Sequence, residues 1–378
     1  MRERWLVRIA VALAVSVVAT GGLAVALTLQ RRGETGERSR GRIAFASDQE
    51  GGLAVYVAEV GPDGEMDRAS LRRVSPEGWY AAYPTWSPDG EQVAYVVWRE
   101  EEGAVWVSSA DGSDQVRVSG LVTDVSSLTP SWSPDSTRLA FVSQPLPNAG
   151  DGLKTTVHIA RADGEGVERS LPLGEFVVAE MEWSPTEEVL LLVAAPAGGR
   201  SSAYLLPIDG GEMRMFHERA TAADWSPDGE AAVVADPTTH ALYVVRRGGA
   251  MEEIAALGDA TVETVAWSPQ GRHIAVLASY QGAREDGQAL IILDLETGEM
   301  EEVEVGAVVG EAPLMFDPNW SPDGQRLLFT AILSRPRPDA DLPYADLLVY
   351  DVSTGGLHRL TRGEGFVVLG VWGVVHDE

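Results

Sequence analysis

The sequence predicts an all-β fold: a seven-bladed β-propeller of four-stranded antiparallel blades, closed by a C-terminal strand and preceded by one transmembrane helix. Three observations predict it. A Trp-Ser-Pro motif recurs through the body, apolar runs of strand length follow each copy, and an uncharged run occupies residues 9–29. The predicted segments are a short tail (1–8), a transmembrane helix (9–29), a flexible linker (30–41) and the propeller (42–378).

Charge divides the chain into a basic head and an acidic body. The net charge is −28, yet the first 42 residues hold eight Arg and only three Glu. An acidic body argues against nucleic-acid binding, because phosphate contacts require clustered Lys and Arg. With 45% hydrophobic residues and 11 Trp, the chain has ample material for a core. The lack of Cys excludes a disulfide scaffold, a thiol nucleophile and Cys-ligated zinc.

The N-terminal apolar run has the length of a membrane span. A helix over 9–29 extends about 30 Å, and Arg8 and Arg31 flank it. A cleaved signal peptide is the rival interpretation, because residues 24–26 (Ala-Val-Ala) resemble a cleavage site, and a buried soluble helix is a third. We expect an uncleaved anchor with the acidic body on the extracytoplasmic side. The linker (30–41) has no apolar residue and is expected to be flexible.

An internal repeat organises the body. Three copies of the motif, at 86–90, 225–229 and 320–324, read Trp-Ser-Pro-Asp-Gly in full. The motif begins at six tryptophans with near-regular spacing: Trp86, Trp132, Trp183, Trp225, Trp267 and Trp320. Ser, Pro, Asp and Gly suit the four successive positions of a tight turn between two strands. Four short apolar runs per unit, without helical periodicity, predict four-stranded blades.

The two ends of the body complete the count of blades. Residues 43–59 match the second and third strands of a unit, and residues 366–375 match a first strand in which Trp372 continues the period. Pairing these ends creates a seventh blade and covers sheet edges that would otherwise promote aggregation.

The repeats resemble those of the TolB-like, or PD-type, β-propeller family, whose hallmark is Trp-Ser-Pro-Asp-Gly followed by an apolar strand. The resemblance covers residues 42–378, and an N-terminal anchor stands in place of the separate α/β domain of TolB. The resemblance implies a binding platform, although the same repeat also serves peptidases as an accessory domain and some lyases as a scaffold.

The sequence contains no motif typical of a catalytic centre. No Gly-x-Ser-x-Gly elbow occurs, and the histidines are scattered without metal-ligand spacing: His158, His217, His240, His273, His358 and His376. We therefore expect no catalytic residue, no metal and no cofactor, and a protein that is not an enzyme. The repeated tryptophans, Trp372 included, are predicted to be structural.

Function is expected on one of two faces. We label the strands of each blade A to D from the axis outward. The face that carries the A–B and C–D turns is called the turn face, and the face that carries the B–C and D–A loops is called the loop face. The longest loop of the loop face (332–344) holds Arg335, Arg337 and Asp339, which we predict to contact a protein, peptide or glycan partner. The alternative is a propeller enzyme, a polysaccharide lyase or hydrolase, with its site at the propeller mouth. A third interpretation is a cytosolic regulatory platform on an inward-facing anchor.

Overall fold

The computed structural model describes residues 40–99, 102–120, 122–123, 130–144, 154–280, 287–310, 313–333, 343–363 and 365–375. These residues form seven antiparallel sheets, which confirms the predicted all-β, seven-bladed propeller with four-stranded blades. One blade carries an additional two-residue strand that the sequence did not predict. The predicted transmembrane helix (9–29) lies outside the described residues, among which no helix is long and apolar enough to cross a membrane.

The first three blades comprise twelve regular strands and the additional one. Blade one consists, from A to D, of β29 (Val367–Gly373), β1 (Gly41–Ser47), β2 (Ala54–Val60) and β3 (Met66–Arg73). Blade two consists of β4 (Tyr80–Trp86), β5 (Gln92–Arg99), β6 (Glu102–Ser109) and β7 (Gln115–Arg117), with β8 (Val122–Thr123) beside β6. Blade three consists of β9 (Ser131–Trp132), β10 (Arg138–Ser143), β11 (Thr155–Arg161) and β12 (Val167–Gly174).

The remaining four blades follow in chain order. Blade four consists of β13 (Phe176–Trp183), β14 (Val189–Pro196), β15 (Ser202–Pro207) and β16 (Arg214–His217). Blade five consists of β17 (Ala222–Trp225), β18 (Ala231–Asp236), β19 (Ala241–Arg246) and β20 (Met251–Ala256). Blade six consists of β21 (Thr261–Trp267), β22 (His273–Tyr280), β23 (Gly287–Asp294) and β24 (Met300–Glu302). After the short helix α1 (Gly306–Val309), blade seven consists of β25 (Leu314–Trp320), β26 (Arg326–Ile332), β27 (Ala345–Asp351) and β28 (Gly356–Arg359).

The C-terminal strand closes the ring inside blade one. Strand β29 pairs antiparallel with β1, so that Ile43 lies opposite Trp372. The chain entering β29 is held by Asp48, whose Oδ1 accepts a hydrogen bond from the main-chain N–H of Phe366 at 2.9 Å. The inner strand of blade one is thus supplied from the opposite end of the chain, as the two half-units of the sequence predicted.

The Trp-Ser-Pro-Asp-Gly motif forms the A–B turn. In blade two the N–H of Gly90 donates to the carbonyl of Ser87 at 2.8 Å, and Ser87 Oγ accepts from the N–H of Gln92 at 2.9 Å. Gly90 has a φ of 70°, and a Cβ at this position would lie 2.4 Å from the carbonyl oxygen of Val374. Glycine is therefore required here both by the left-handed backbone and by the close approach of the C-terminal segment.

The hydrophobic core is distributed between adjacent blades. All seven motif tryptophans are 0–8% exposed, and each packs among residues of the preceding blade. Trp225 of blade five, for example, lies among Leu191 and Val193 of blade four. Arg247 stacks over the Trp225 ring at 5.0 Å and covers it from the turn face.

Candidate functional site

The loop face of blade two carries a concentration of aromatic side chains. We call Trp79, Tyr80, Tyr83, Trp98 and Arg99 the blade-two rim. Trp79 lies in the D–A connection, Tyr80 begins β4, and Trp98 and Arg99 end β5, so the rim lies at the loop-face ends of these strands. Tyr80 is 38% exposed and is the aromatic member of the exposed large hydrophobic side chains among the described residues. An exposed aromatic group on a rigid scaffold is a typical binding surface.

Two aromatic contacts organise the rim. The Arg99 guanidinium lies 5.2 Å above the ring of Trp79, which in turn packs against Trp106 with ring centroids 6.3 Å apart. Tyr83 and Trp98 meet edge to face at 5.7 Å. The rim therefore combines an exposed cation with ordered ring surfaces, a combination able to contact peptide carbonyls, carboxylates and apolar side chains.

The inner strands beside the rim are locally strained. In blades one, two and seven, the residue three positions before the motif tryptophan has a left-handed backbone: Leu369 (φ 58°), Tyr83 (φ 56°) and Asp317 (φ 55°). The strand ladder shifts register at each of these positions. Left-handed conformations are costly for such residues, and they cluster at functional sites. The three bulges lie in adjacent blades, on one side of the channel.

Buried polar groups link the inner strands of successive blades. The main-chain N–H groups of four motif tryptophans donate across a blade boundary: Trp183 to Ser131 Oγ (2.9 Å), Trp225 to Glu182 Oε2 (3.4 Å), Trp267 to Asp224 Oδ2 (2.6 Å) and Trp372 to Asn319 Oδ1 (2.7 Å). In each case the acceptor is the residue just before the motif tryptophan of the preceding blade. This repeated contact joins the inner strands of neighbouring blades at four of the blade boundaries.

Three of the buried carboxyl groups lie together at the boundary of blades four and five. They are Glu180, Glu182 and Asp224, and Glu180 accepts a hydrogen bond from the N–H of Ala223 at 3.0 Å. Burial raises the pKa of Asp224 to about 6, although hydrogen bonds from Glu182 and the main chain counter it. Burial also raises the pKa of Glu180 well above its ordinary value, and the neighbouring Asp224 adds to that rise. Burial therefore makes Glu180 and Asp224 weaker acids than exposed carboxyl groups.

Neither a metal nor a catalytic carboxylate pair is evident from this cluster. Within the described ranges, no group of three or more His, Asp or Glu side chains is arranged to hold a metal ion. The three carboxyl groups instead accept main-chain hydrogen bonds, which is a structural arrangement.

The opposite, turn face contains a cavity between blades one and two. Its volume is about 280 Å³. The lining contains charged side chains of both signs and a few apolar residues: Arg42, Val57, Ala58, Glu59, Arg72, Glu91, Ser109, Ala110 and Asp111. Hydrogen bonds from Ser113 and Ser109 hold the pKa of Asp111 near 2, so this carboxylate is ionised at neutral pH. The cavity lies beside Arg42, close to where the linker joins the propeller.

The residues predicted from the sequence divide into two groups. The seven motif tryptophans are buried between blades, at the ends of the inner strands next to the turn face. The predicted partner contacts Arg335, Arg337 and Asp339 lie outside the described residues. The blade-two rim was not predicted, although a signal for it existed: Trp79, Trp98 and Trp106 are the tryptophans of the body that stand outside the repeat positions.

Comparison with known proteins identifies the repeat. Residues 79–284, more than half of the chain, match the family model described as PD40, the TolB β-propeller domain. The TolB protein of Acinetobacter baumannii has a similar fold, with a TM-score of 0.53 and 16% identity over 89% of this chain and 67% of that one. An acylaminoacyl peptidase of Pyrococcus horikoshii gives a TM-score of 0.57 and 16% identity over 85% of this chain and 51% of that one. At these identities the structures show the fold alone.

One sequence relative is named as a peptidase. A protein of Bacillus subtilis named uncharacterized peptidase YuxL is 25% identical over 229 residues, which are 59% of this chain and 32% of the relative. This chain therefore spans about a third of the length of that relative. The match contradicts our expectation that the protein is not an enzyme. That expectation rested on the lack of contiguous catalytic motifs in the sequence, and such motifs reveal only sites whose residues are close along the chain.

Proposed function

Since this chain belongs to the TolB β-propeller domain family, we propose that it acts in peptide hydrolysis and that its propeller takes in the peptide at the blade-two rim. The sequence match to a protein named as a peptidase supports the reaction class. The match covers 59% of this chain, so it extends well beyond a single blade.

The single observation that carries the proposal is the stacking of Arg99 over Trp79 on the loop face, 5.2 Å from the guanidinium carbon to the ring centroid. Trp, Tyr and Arg dominate the binding energy of protein and peptide interfaces, because they offer large rigid contact areas together with hydrogen-bond donors. On a chain with net charge −28, an exposed Arg among aromatic rings is also a local exception to the acidic surface. It is suited to a peptide carbonyl or C-terminal carboxylate.

The strained inner strands support the same location. Tyr83 belongs both to the rim and to the set of three left-handed residues, so the strain and the aromatic surface coincide in blade two. Backbone strain persists where the surrounding structure holds it, and it commonly accompanies pre-organised binding sites.

The point where the predicted anchor joins the propeller bears on the direction from which a partner reaches the loop face. The predicted anchor (9–29) and linker (30–41) join the propeller at β1, whose first residue Gly41 lies at the turn face. We propose that this face is biased toward the bilayer, on the extracytoplasmic side, and that the loop face points away from it. Arg335, Arg337 and Asp339 of the loop 332–344 are retained as proposed partner contacts on that same face.

The proposal is tested with fluorescein-labelled peptides from a tryptic digest of casein. The double variant Trp79→Ala/Arg99→Ala should weaken peptide binding by at least about ten-fold, because each hot-spot side chain contributes more than 1 kcal/mol. Mass spectrometry of peptides incubated with the full-length chain should show new cleavage products, and the double variant should form them more slowly.

The matched control removes two charged groups from the opposite face. Arg72→Ala/Asp111→Ala alters the turn-face cavity and should leave peptide binding unchanged. Equal binding by the rim variant and the wild type would refute the rim as the entry site. Loss of binding in the control variant would place the site on the turn face, and capture of glycans without peptides would overturn the substrate class.

A further inference from the structure

Three side chains of blade three form a hydrogen-bonded row across three neighbouring strands. Ser143 ends β10, His158 lies within β11 and Ser170 lies within β12. Ser143 Oγ is 2.8 Å from His158 Nε2, and His158 Nδ1 is 2.9 Å from Ser170 Oγ. Both ring nitrogens therefore have a hydroxyl partner, one on each side of the imidazole.

The other blades show what the repeat normally places at these positions. The strand register shows which residues of strands B, C and D occupy equivalent positions in different blades. At the position of His158 the other described strands carry larger rings or aliphatic groups: Tyr56, Trp106, Tyr204, Tyr243, Ile291 and Leu348. In blade one the corresponding row reads Ser47, Tyr56 and Arg73. Blade three thus replaces a packing residue by an imidazole between two hydroxyl groups.

The surroundings keep this imidazole neutral and fixed. His158 stacks on Phe141, with ring centroids 5.1 Å apart and an interplanar angle of 25°. Phe141 belongs to the core between blades two and three, whose edge includes Trp98 and Tyr83 of the blade-two rim. Burial lowers the pKa of His158, so the ring can accept a proton at neutral pH. Ser143 remains partly accessible.

The hydrogen-bond roles follow from a neutral ring. A neutral imidazole has one N–H donor and one acceptor nitrogen. When Nε2 accepts the proton of the Ser143 hydroxyl, Nδ1–H donates to Ser170 Oγ. Nucleophilic acyl transfer depends on three groups in this arrangement. They are a hydroxyl nucleophile, an adjacent base and a third group that orients the base.

We propose that Ser143, His158 and Ser170 form an acyl-transfer site that hydrolyses small carboxylic esters, an activity separate from peptide intake at the rim. Ser143 Oγ bonds to the ester carbonyl carbon while its proton passes to His158 Nε2. Breakage of the ester C–O bond releases the alcohol, which leaves with that proton. Water then adds to the acyl-serine with His158 as base, and the carboxylic acid departs as the Ser143 hydroxyl is restored.

The third group determines the substrate class. Ser170 offers a neutral hydroxyl where serine hydrolases with a triad use a carboxylate, so the imidazolium formed during the reaction receives less electrostatic stabilisation. Alcohols and phenols are better leaving groups than amines and need less assistance from a protonated base. Esters, not amides, are therefore the substrates that fit this row.

The test uses p-nitrophenyl acetate and a fluorophosphonate probe on the purified full-length chain. The probe should attach to Ser143, as located by mass spectrometry of the digested protein. Ser143→Ala should abolish labelling and reduce ester hydrolysis at least about 100-fold, and His158→Gln should do the same. Ser170→Ala should reduce the rate about ten-fold, with a shifted pH profile that a purely structural residue would not produce.

Ser47→Ala is the matched control, because Ser47 occupies the position of Ser143 in blade one and faces a tyrosine. It should label and hydrolyse like the wild type, and circular dichroism should show the same fold for all variants. Should a histidine variant unfold, Ser143→Thr supplies the second measurement, with reduced but detectable labelling expected. Labelling at another residue, or unchanged hydrolysis by Ser143→Ala, overturns the proposal. The rim double variant should retain ester hydrolysis, so failure of this site and failure of peptide intake are distinguishable.

Discussion

The carboxylate of Asp224 in blade five accepts a hydrogen bond of 2.6 Å from the main-chain N–H of Trp267 in blade six. Asn319 holds the same position relative to Trp372 across the boundary of blades seven and one, at 2.7 Å. A charged and a neutral side chain thus make the same contact within one molecule. Asn319 therefore shows that an asparagine can make the contact that Asp224 makes in blade five.

This pair predicts a pH effect for Asp224→Asn. The pKa of Asp224 is about 6 in the fold, against an ordinary value of 3.8, so between these values the folded chain holds a proton that the unfolded chain has released. The free energy of unfolding of the wild type therefore falls as pH rises through this window. Asn does not ionise, and its amide can donate to Glu182. We expect the variant to be the more stable protein at pH 7.5, by about 1–3 kcal/mol, and near wild type at pH 4.

Denaturant titrations between pH 4 and 7.5 measure this difference. The control is Asp228→Asn, since hydrogen bonding from Ser226 lowers the pKa of Asp228, and the stability it contributes is lost as pH falls. That variant should be slightly less stable than the wild type at neutral pH. Parallel stability curves for Asp224→Asn and the wild type would contradict the role assigned to the buried carboxyl group.

The motif tryptophans are predicted to hold adjacent blades together. Trp225→Ala removes a fully buried ring that packs on blade four and carries the stacked Arg247, so it should lower the free energy of unfolding by about 3–5 kcal/mol. Trp79→Ala, on the blade-two rim, should lower it by less than about 1 kcal/mol. Chemical denaturation compares the two. Equal effects would show that burial between blades does not distinguish the motif residues.

Ring closure is tested by two glycines at the same turn position. Gly90 and Gly271 both have left-handed φ, of 70° and 75°, but a Cβ at Gly90 meets the carbonyl of Val374 at 2.4 Å while one at Gly271 meets nothing within 4 Å. Gly90→Ala should therefore cost about 2 kcal/mol more than Gly271→Ala. Thermal unfolding of both variants measures the difference. Similar melting temperatures would mean that the C-terminal segment does not pack against this turn.

The predicted anchor has its own test. The full-length chain should remain with the membrane fraction after an alkaline wash, whereas a chain beginning at Arg40 should be released. Val18→Arg places a charge at the centre of the apolar run and should weaken insertion. N-terminal sequencing of the mature protein separates the interpretations: a start at Met1 supports an uncleaved anchor, and a start just after residue 26 supports a cleaved signal peptide.

The sequence predicted the fold more fully than the site. The turn motif and the strand runs act between residues close in the chain, so their periodicity revealed the blades, and the half-units at 43–59 and 366–375 revealed the closure. The site was different. The sequence shows that Trp79, Trp98 and Trp106 fall within one blade. It does not show which of these side chains lie at the loop face, because that depends on the strand positions.

What the sequence by itself determined is the number of blades, the chemistry of their turns and the way the ring closes. The turns depend on contiguous residues, and the blade count and the two complementary half-units follow from a regular period. Only the tertiary structure decided which distant side chains meet. Ser143 and His158 are adjacent because β10 and β11 pair with Phe141 opposite His158. Asp224 reaches Trp267 only because two inner strands pack side by side around the channel. Strand register and blade packing arise from the whole folded ring, so the repeat period alone does not show which side chains come into contact.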